Sequence, residues 1–219
     1  MGNTREWDGT IVKVPLYILQ YNPNGLGCPH HLSGEYNHAE WEWQTFETRP
    51  HDVEIKKTCS LQLTDGDVTS IDFDFYGSGP SYVSDQFVSL CNDCGVDFRT
   101  VPLEITYLRG TQPEKSYFVF LPADHLAVVD CEKSVAEVDL DCETGQPAMD
   151  PLFPGTPVFK RIEKLVIKDI ETPHLFQCVD LFSLACTETF RAEALKRGLR
   201  GLEFIALDEN YIYDPWAGW

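Results

Sequence analysis

The most regular pattern of apolar and polar residues lies in residues 184–208 and predicts a strand, a helix and a second strand. Phe190 and Ala194 are four residues apart, so they share one face of the predicted helix, and Leu195 lies beside them. Gly198 follows the last helical turn, where glycine adopts the left-handed conformation without steric strain. The segment therefore predicts a packing unit whose helix buries one apolar face.

The ends of this predicted helix have suitable residues. Thr187 precedes it as an N-cap, and we expect the Thr187 hydroxyl to accept a hydrogen bond from an unpaired backbone N–H. Glu193 and Arg197 are spaced for an ion pair on the outer face, in the favourable order. Lys196 and Arg197 lie in the last turn, where the helix dipole favours positive charge.

A second segment, residues 82–105, repeats this pattern. Its residues correspond in order to those of the first segment: Ser84 to Thr187, Phe87 to Phe190, Gly95 to Gly198 and Phe98 to Phe204. The spacing from the helical phenylalanine to the strand phenylalanine differs by three residues, which a surface turn tolerates. The repeat is either a true duplication or one packing solution reached twice, and the residues leave both interpretations open.

Further strands are predicted where β-branched and aromatic residues lie between turn signals. They cover residues 10–21, 57–63, 68–76, 115–121, 125–130, 165–167 and 174–179. The second and third of these are expected to pair as a hairpin. Asp72 and Asp74 alternate with apolar residues in the third, so we expect them on an exposed acidic face. Residues 141–157, with four prolines and two glycines, predict a long loop.

Together these elements predict an α+β fold, in which a mostly antiparallel or mixed β-sheet has two main helices packed on it. The 219 residues are expected to form a single domain over residues 1–219. Candidate sub-units are residues 1–80, which are rich in strands, and residues 81–219, which hold both strand–helix–strand units.

The chain is strongly acidic, with a net charge of −18. Residues 1–110 hold 16 acidic and 7 basic side chains and residues 111–219 hold 19 and 10, so each half has a charge of −9. Such a charge argues against nucleic acid and against an anionic membrane surface as partners, because both require a basic face. It favours encounter with a basic protein, although charge also serves solubility alone.

The N-terminal sequence predicts no export signal, because Arg5, Glu6 and Asp8 lie among the first ten residues. The longest apolar runs are also shorter than a membrane span. We therefore expect a cytoplasmic protein whose eight cysteines are reduced thiols.

Two groups of residues have the chemistry of metal ligands. Cys91 and Cys94 form a CxxC motif, but a zinc site needs a second pair or suitably spaced histidines, so buried packing is the preferred interpretation. The other group shares one loop without the spacing of a zinc finger: Cys28, His30, His31 and His38. We expect no metal and no cofactor.

The sequence lacks the common catalytic signatures. It contains no GxSxG, HExxH, Walker or dinucleotide-binding motif. Aspartate pairs at positions 65 and 67 and at 72 and 74 are candidates for acid–base chemistry, but strand alternation accounts for the second pair without it. The sequence therefore predicts a protein that is not an enzyme.

Short motifs spread over most of the chain provide a family resemblance. They are residues 27–29 (GCP), 43–50 (WQTFETRP), 72–76 (DFDFY), 82–87 (YVSDQF), 101–103 (VPL), 117–122 (YFVFLP), 129–134 (VDCEKS) and 198–205 (GLRGLEFI). In these motifs the chain resembles the immunity protein 43 family and its relative, immunity protein family eleven, of bacterial polymorphic toxin systems. The resemblance implies a cytosolic antidote that binds a cognate toxin domain and blocks it without catalysis. It transfers no catalytic residues.

The acidic charge and this resemblance together predict an immunity protein that neutralises a basic cognate toxin domain, such as a nuclease, as a monomer or homodimer. The candidate partner-binding residues are Asp65, Asp67, Asp72, Asp74, Asp139, Asp141, Glu143, Trp216 and Trp219. One alternative is a small hydrolase or nucleotide-modifying enzyme that uses Asp and His residues. The other is a structural subunit of an assembly held by the aromatic C-terminal tail. Trp41 and Trp43 are expected in the core.

Overall fold

The computed structural model describes residues 15–77 and 80–215. The strands, in chain order, are β1 (Leu16–Tyr21), β2 (Gly34–Tyr36), β3 (Cys59–Leu63), β4 (Phe75–Gly77), β5 (Ser81–Ser84), β6 (Phe98–Thr106), β7 (Tyr117–Pro122), β8 (His125–Leu126), β9 (Val135–Val138), β10 (Phe159–Lys164), β11 (Leu175–Cys178), β12 (Ser183–Thr187) and β13 (Leu202–Ala206). Two α-helices, α1 (Asp85–Asp93) and α2 (Glu188–Arg197), and a 3₁₀ helix at Pro50–Asp52 complete the described part. The predicted α+β fold with mixed sheets and two main helices is confirmed.

The strands form two main sheets and a two-stranded ribbon. The first sheet has the order β2-β3-β6-β7-β5-β4, and the second has the order β13-β1-β12-β11-β8. All pairings are antiparallel except β3 with β6 and β8 with β11. The ribbon pairs β9 with β10.

The two strand–helix–strand segments occupy equivalent places in the two sheets. In the first sheet β5 leads into α1, α1 into β6, and β7 lies between β5 and β6. In the second, β12 leads into α2, α2 into β13, and β1 takes the central place. The two units share one arrangement, but their central strands come from different places in the sequence. β7 follows α1 within its own unit, whereas β1 precedes both units.

The helices of the two units pack against each other, α1 also on the first sheet and α2 also on the second. The Phe87 and Phe190 rings meet edge to face, with centroids 5.8 Å apart, and both side chains are fully buried. An ion pair of 2.8 Å joins Arg197 of α2 to Asp93 of α1. Apolar side chains from both sheets complete this central cluster, so the corresponding phenylalanines of the repeat form one shared core.

The two N-caps, which the sequence pattern predicts to be equivalent, differ in the structure. The Ser84 hydroxyl accepts hydrogen bonds from the N–H groups of Gln86 and Phe87, both at 3.2 Å. Thr187 makes no such bond, because its hydroxyl hydrogen-bonds instead to Nδ1 of His174 at 2.8 Å. The predicted side-chain cap at Thr187 is therefore wrong, although α2 begins where expected.

Several boundaries also differ from prediction. The hairpin between residues 57–63 and 68–76 does not form, because β3 pairs with β2 and β6, and only residues 75–77 are a strand. The strand predicted at residues 165–167 lies earlier, as β10. Leu195 is 54% exposed rather than part of the buried face of α2.

The predicted sub-units at residues 1–80 and 81–219 do not correspond to separate sheets. β3 and β4, from before residue 80, belong to the same sheet as β6 and β7. β1, also from before residue 80, lies in the centre of the other sheet.

No helix in the described ranges is long and apolar enough to cross a bilayer.

Gly201 stands where the two sheets meet, between α2 and β13. Its φ is +78°, and a Cβ atom there would lie 2.6 Å from the Phe75 carbonyl oxygen and 3.1 Å from Cβ of Phe73. Asn22 N–H also bonds to the Gly201 carbonyl at 3.1 Å. The junction therefore requires glycine for both its conformation and its lack of a side chain.

Gly201→Ala should destabilise the protein by several kcal/mol, measured by denaturant unfolding. Gly198→Ala is the matched control, because Gly198 has φ +67° and a Cβ there would meet nothing within 4 Å. That control should cost about 1 kcal/mol, the usual penalty for alanine in the left-handed region. Equal losses in the two variants would show that close packing at the junction contributes little.

Candidate functional site

The aspartates predicted on an exposed face, Asp72 and Asp74, lie instead at the junction of the two units. Asp74 is buried, and its Oδ1 accepts hydrogen bonds from the Ser84 hydroxyl at 2.6 Å and from Nζ of Lys115 at 2.8 Å. Its Oδ2 accepts from the backbone N–H of Arg200 at 2.7 Å. One carboxylate thus joins the N-terminus of α1 to the turn that follows α2.

Asp72 is the second carboxylate of this network. It forms an ion pair of 2.8 Å with Lys115 and another with the guanidinium of Arg200. Burial opposes the charge of Lys115, but hydrogen bonds to Asp72 and Asp74 raise its pKa above the ordinary value. In this network Lys115 and Arg200 therefore compensate the charges of Asp72 and Asp74.

The predicted exposure of Asp74 is therefore wrong. The physical reason is that residues 68–74 do not pair as a strand, so strand alternation does not govern which side chains face water. Asp74 has both oxygens engaged within the protein and is unsuited to contact a partner. Asp72 is partly exposed, with its charge matched by Lys115 and Arg200.

Asp65 and Asp67 lie in the turn after β3, as predicted. Asp67 is exposed and Asp65 is half-buried. Oδ1 of Asp65 accepts a hydrogen bond from the Asp67 N–H at 2.9 Å, which is a typical stabilisation of a turn by aspartate. These two remain candidates for partner binding.

The remaining acidic candidates share one structural feature, which we call the arm: residues 135–164, comprising β9, β10 and the connection between them. Asp139, Asp141 and Glu143 are all exposed in this connection. Oδ1 of Asp141 accepts hydrogen bonds from the N–H groups of Glu143 and Thr144, at 3.1 and 2.7 Å. These bonds hold a tight turn, and hydrogen bonding lowers the pKa of Asp141, chiefly through the Thr144 hydroxyl. The arm therefore presents carboxylates from an ordered backbone.

The connection is not a loose loop. Three backbone hydrogen bonds of 2.8–2.9 Å join Asp139, Ala148 and Val158 to one another. A second turn is held by Asp150, whose Oδ1 accepts from the N–H groups of Leu152 and Phe153 at 2.7 and 3.0 Å.

Two contacts fix the arm to the rest of the protein. The Phe153 ring stacks on His125, at the start of β8, with centroids 5.2 Å apart. Ile162, which is fully buried, exchanges two backbone hydrogen bonds with Tyr213 at 2.8 and 3.1 Å. Burial raises the pKa of Tyr211, which packs beside this contact, to about 12. The chain as far as Tyr213 is thus packed against β10 and the core cluster around it.

Exposed apolar side chains accompany the acids of the arm. Four of them are between 47% and 57% exposed: Val135, Leu140, Met149 and Leu152. Sequence analysis missed this set, because residues 141–157 with their four prolines indicated only a loop, and no element was predicted for residues 131–140, which hold Val135 and Leu140. The available signal was the recurrence of large apolar residues between acidic ones, as in Asp139-Leu140-Asp141.

A wide cleft lies away from the arm, between the 3₁₀ helix, α1 and the start of β6. Its volume is about 720 Å³, and His51, Glu54, Asp97 and Arg99 are among its lining residues. Nε2 of His51 lies 2.8 Å from Oδ1 of Asp97, and these side chains are 55% and 61% exposed. The Arg99 guanidinium is bound to backbone carbonyls of Pro50 and Val53.

The cysteines of the two candidate metal-ligand groups pack within the fold. Cys91 is fully buried in α1, where burial raises the pKa of its thiol, and Cys94 is half-buried. Cys28 packs in the core of the first sheet, while His38 contacts the Trp41 ring. Within the described ranges, no group of three or more His, Cys, Asp or Glu side chains is placed to hold a metal ion.

Two candidates, Trp216 and Trp219, lie outside the described residues. Trp43 is buried in the core of the first sheet, as expected, whereas Trp41 is only half-buried against it.

Neither the models of known protein families nor the curated proteins give a match to this chain. The surfaces described above are therefore the basis for assigning a function.

Lys115→Met should destabilise the protein by about 3–5 kcal/mol, because it removes the cation that compensates Asp72 and the buried Asp74. The measurement is the free energy of unfolding in denaturant. Lys133→Met is the matched control, since it breaks the Lys133–Asp130 pair at the surface and should leave the free energy of unfolding almost unchanged. Similar losses in both variants would contradict a central role for the junction network.

Proposed function

We propose that this protein is a cytoplasmic immunity protein, which binds and neutralises a basic cognate toxin domain without catalysis of its own. The observation that supports this proposal most directly is the arm, which presents Asp139, Asp141 and Glu143 together with exposed Leu140 and Met149 on an ordered backbone. The net charge of −18 and the family resemblance of the sequence motifs point the same way.

The composition of the arm suits binding to a basic surface. Exposed carboxylates accelerate encounter with a positively charged partner and suppress wrong partners. Apolar side chains at their centre supply area that is removed from water when the complex forms. The turns held by Asp141 and Asp150 reduce the entropy lost on binding, because the backbone is already ordered. A nuclease is a suitable target, since it needs a basic face of its own.

The direct test begins with the neighbouring gene, which should encode a secreted protein with a toxic C-terminal domain if the proposal is right. Purified protein should bind that domain, and its expression should protect cells that produce the toxin. Absence of both binding and protection would disprove the proposed function.

The charge of the arm can be tested separately with Asp139→Asn, Asp141→Asn and Glu143→Gln combined. We expect the association rate with the toxin domain to fall by about tenfold or more at low salt, and the salt dependence of the affinity to weaken. The asparagine amide at position 141 keeps an oxygen that can accept the hydrogen bonds of the turn. Association rates measured across a range of ionic strength provide the readout.

A control with the same loss of charge is Glu104→Gln, Glu114→Gln and Glu203→Gln combined, because these exposed glutamates lie outside the arm. This control should retain most of the association rate. Equal losses in the two triple variants would indicate that total charge matters rather than the arm.

A second candidate function is a small hydrolase, and the cleft with the His51–Asp97 pair favours it. In that mechanism Asp97 would orient the imidazole and His51 would act as general base. Both side chains are more than half exposed, so the site does not exclude water in the way that strengthens such chemistry. His51→Ala should therefore leave protection against the toxin unchanged. A variant that no longer protects the cells would favour the hydrolase.

A further inference from the structure

A small aromatic recess lies against the first sheet, on the side covered by residues 41–45. Its volume is about 110 Å³, and β3 and β7 contribute buried side chains to it, including those of Cys59 and Val119. Five aromatic residues are among its lining residues: Tyr36, Trp41, Trp43, Tyr82 and Phe120. Tyr36 is 37% exposed and Trp41 is half-buried, so the recess is reached from the surface. We call this site the aromatic recess.

The walls of the aromatic recess are ordered by contacts around them. The Trp41 and Trp43 rings stack with centroids 4.9 Å apart, and the Tyr36 ring meets Trp41 edge to face at 5.7 Å. Oε1 of Glu42, between the tryptophans in sequence, accepts hydrogen bonds from the N–H groups of Lys56 and Lys57 at 3.4 and 3.2 Å. The aromatic rings therefore hold their positions without a ligand.

β2 is fixed in the same way. The Asn37 amide donates to the Thr58 carbonyl at 2.8 Å, and its oxygen accepts from the Ser60 N–H at 3.0 Å. These bonds tie the end of β2, which bears Tyr36, to β3. An ordered recess loses little conformational entropy when it binds a ligand.

The size of the aromatic recess limits what it can receive. Pockets for drug-sized ligands have volumes of about 300 Å³ or more, so a nucleotide or peptide segment does not fit. The space equals that of a few water molecules, at about 30 Å³ each. It suits the head group of one side chain.

The acidic sequence segment that supplies Tyr36, Trp41 and Trp43 indicates the kind of head group. Residues 32–48 hold Glu35, Glu40, Glu42 and Glu47 and contain neither lysine nor arginine. The ammonium of the neighbouring Lys57 is bound to the Glu40 carbonyl at 2.7 Å. Faces of tryptophan and tyrosine attract cations, and the attraction increases when the cation leaves water.

We propose that the aromatic recess is a cation site that receives a lysine or arginine side chain of the protein partner. The inference rests on the proposed function, since the basic toxin domain would supply that side chain. It adds a specific anchor, remote in sequence from the arm, to an interface that would otherwise depend on diffuse charge.

The first experiment needs no toxin. Tryptophan fluorescence is followed while tetramethylammonium chloride replaces sodium chloride at constant ionic strength, with tert-butanol as the neutral probe of similar shape. We expect a saturable change with the cation and none with the alcohol. The change should disappear in Trp41→Leu, which keeps an apolar side chain, with Trp43 as the remaining reporter in the recess.

Two further variants show whether a lost response comes from the recess itself or from misfolding. Tyr36→Leu alters the exposed rim and should weaken the response to the cation without unfolding the protein. Phe46→Ala removes an exposed aromatic side chain that follows the lining residue Thr45 in sequence and contacts Phe182 instead. This control should respond like the wild type. Unfolding curves identify any variant that is not folded.

The second experiment measures affinity for the toxin domain. Trp41→Leu and Tyr36→Leu should each weaken the complex by about thirtyfold, the size of a desolvated cation–π contact, and Phe46→Ala should not. The proposal is overturned if the fluorescence response is absent, is equal for the neutral probe, or survives in Trp41→Leu, or if the recess variants bind the toxin like the wild type. Failure of the wild type to bind any toxin disproves the proposed function instead, and the fluorescence titration still decides whether the recess takes cations.

Discussion

The structure depends on the carboxylate of Asp74, which is buried where its two units meet. Ser84 and Lys115 bind one oxygen and the Arg200 backbone binds the other, so α1, the segment before β7 and the turn after α2 converge on one side chain. A buried charge with its partners in place is tolerated, whereas one that loses a partner is costly. The relative position of the sheets is therefore tied to a single ionised group, and close approach at Gly201 makes that position possible.

The two proposed contact regions extend from this scaffold in different ways. The arm connects to the second sheet through its ribbon and is fixed by Phe153 on His125 and by Ile162 on Tyr213. The aromatic recess lies against the first sheet. A partner that engaged both would bridge the first sheet and the arm, which packs against the second sheet. Its affinity would then depend on the junction that holds the two sheets. Variants of that junction would affect binding without touching the interface.

Local pattern predicts well those parts of the fold whose interactions are local. The helices, their glycine ends and the flanking strands follow from residues 82–105 and 184–208 because period and turn chemistry are encoded within each segment. Local pattern misplaces Asp74 because its surroundings come from Lys115 and Arg200, far away in sequence. Thr187 does not cap α2, because its hydroxyl is hydrogen-bonded to His174, a residue outside the segment that carries the local pattern. The acids of the arm could be proposed from sequence, whereas its apolar side chains and the aromatic recess required the tertiary structure.

The place of β1 affects how the chain acquires its fold. β1 pairs Leu16 with Thr187 and Leu19 with Phe204, so this strand is synthesised before the first sheet and its partners are synthesised after it. The first sheet, by contrast, completes its β5-α1-β6-β7 unit from consecutive residues. Contacts between distant residues slow folding, and an unpaired apolar strand is prone to aggregate while it waits. The second sheet is therefore expected to close late, on a first unit that is already folded.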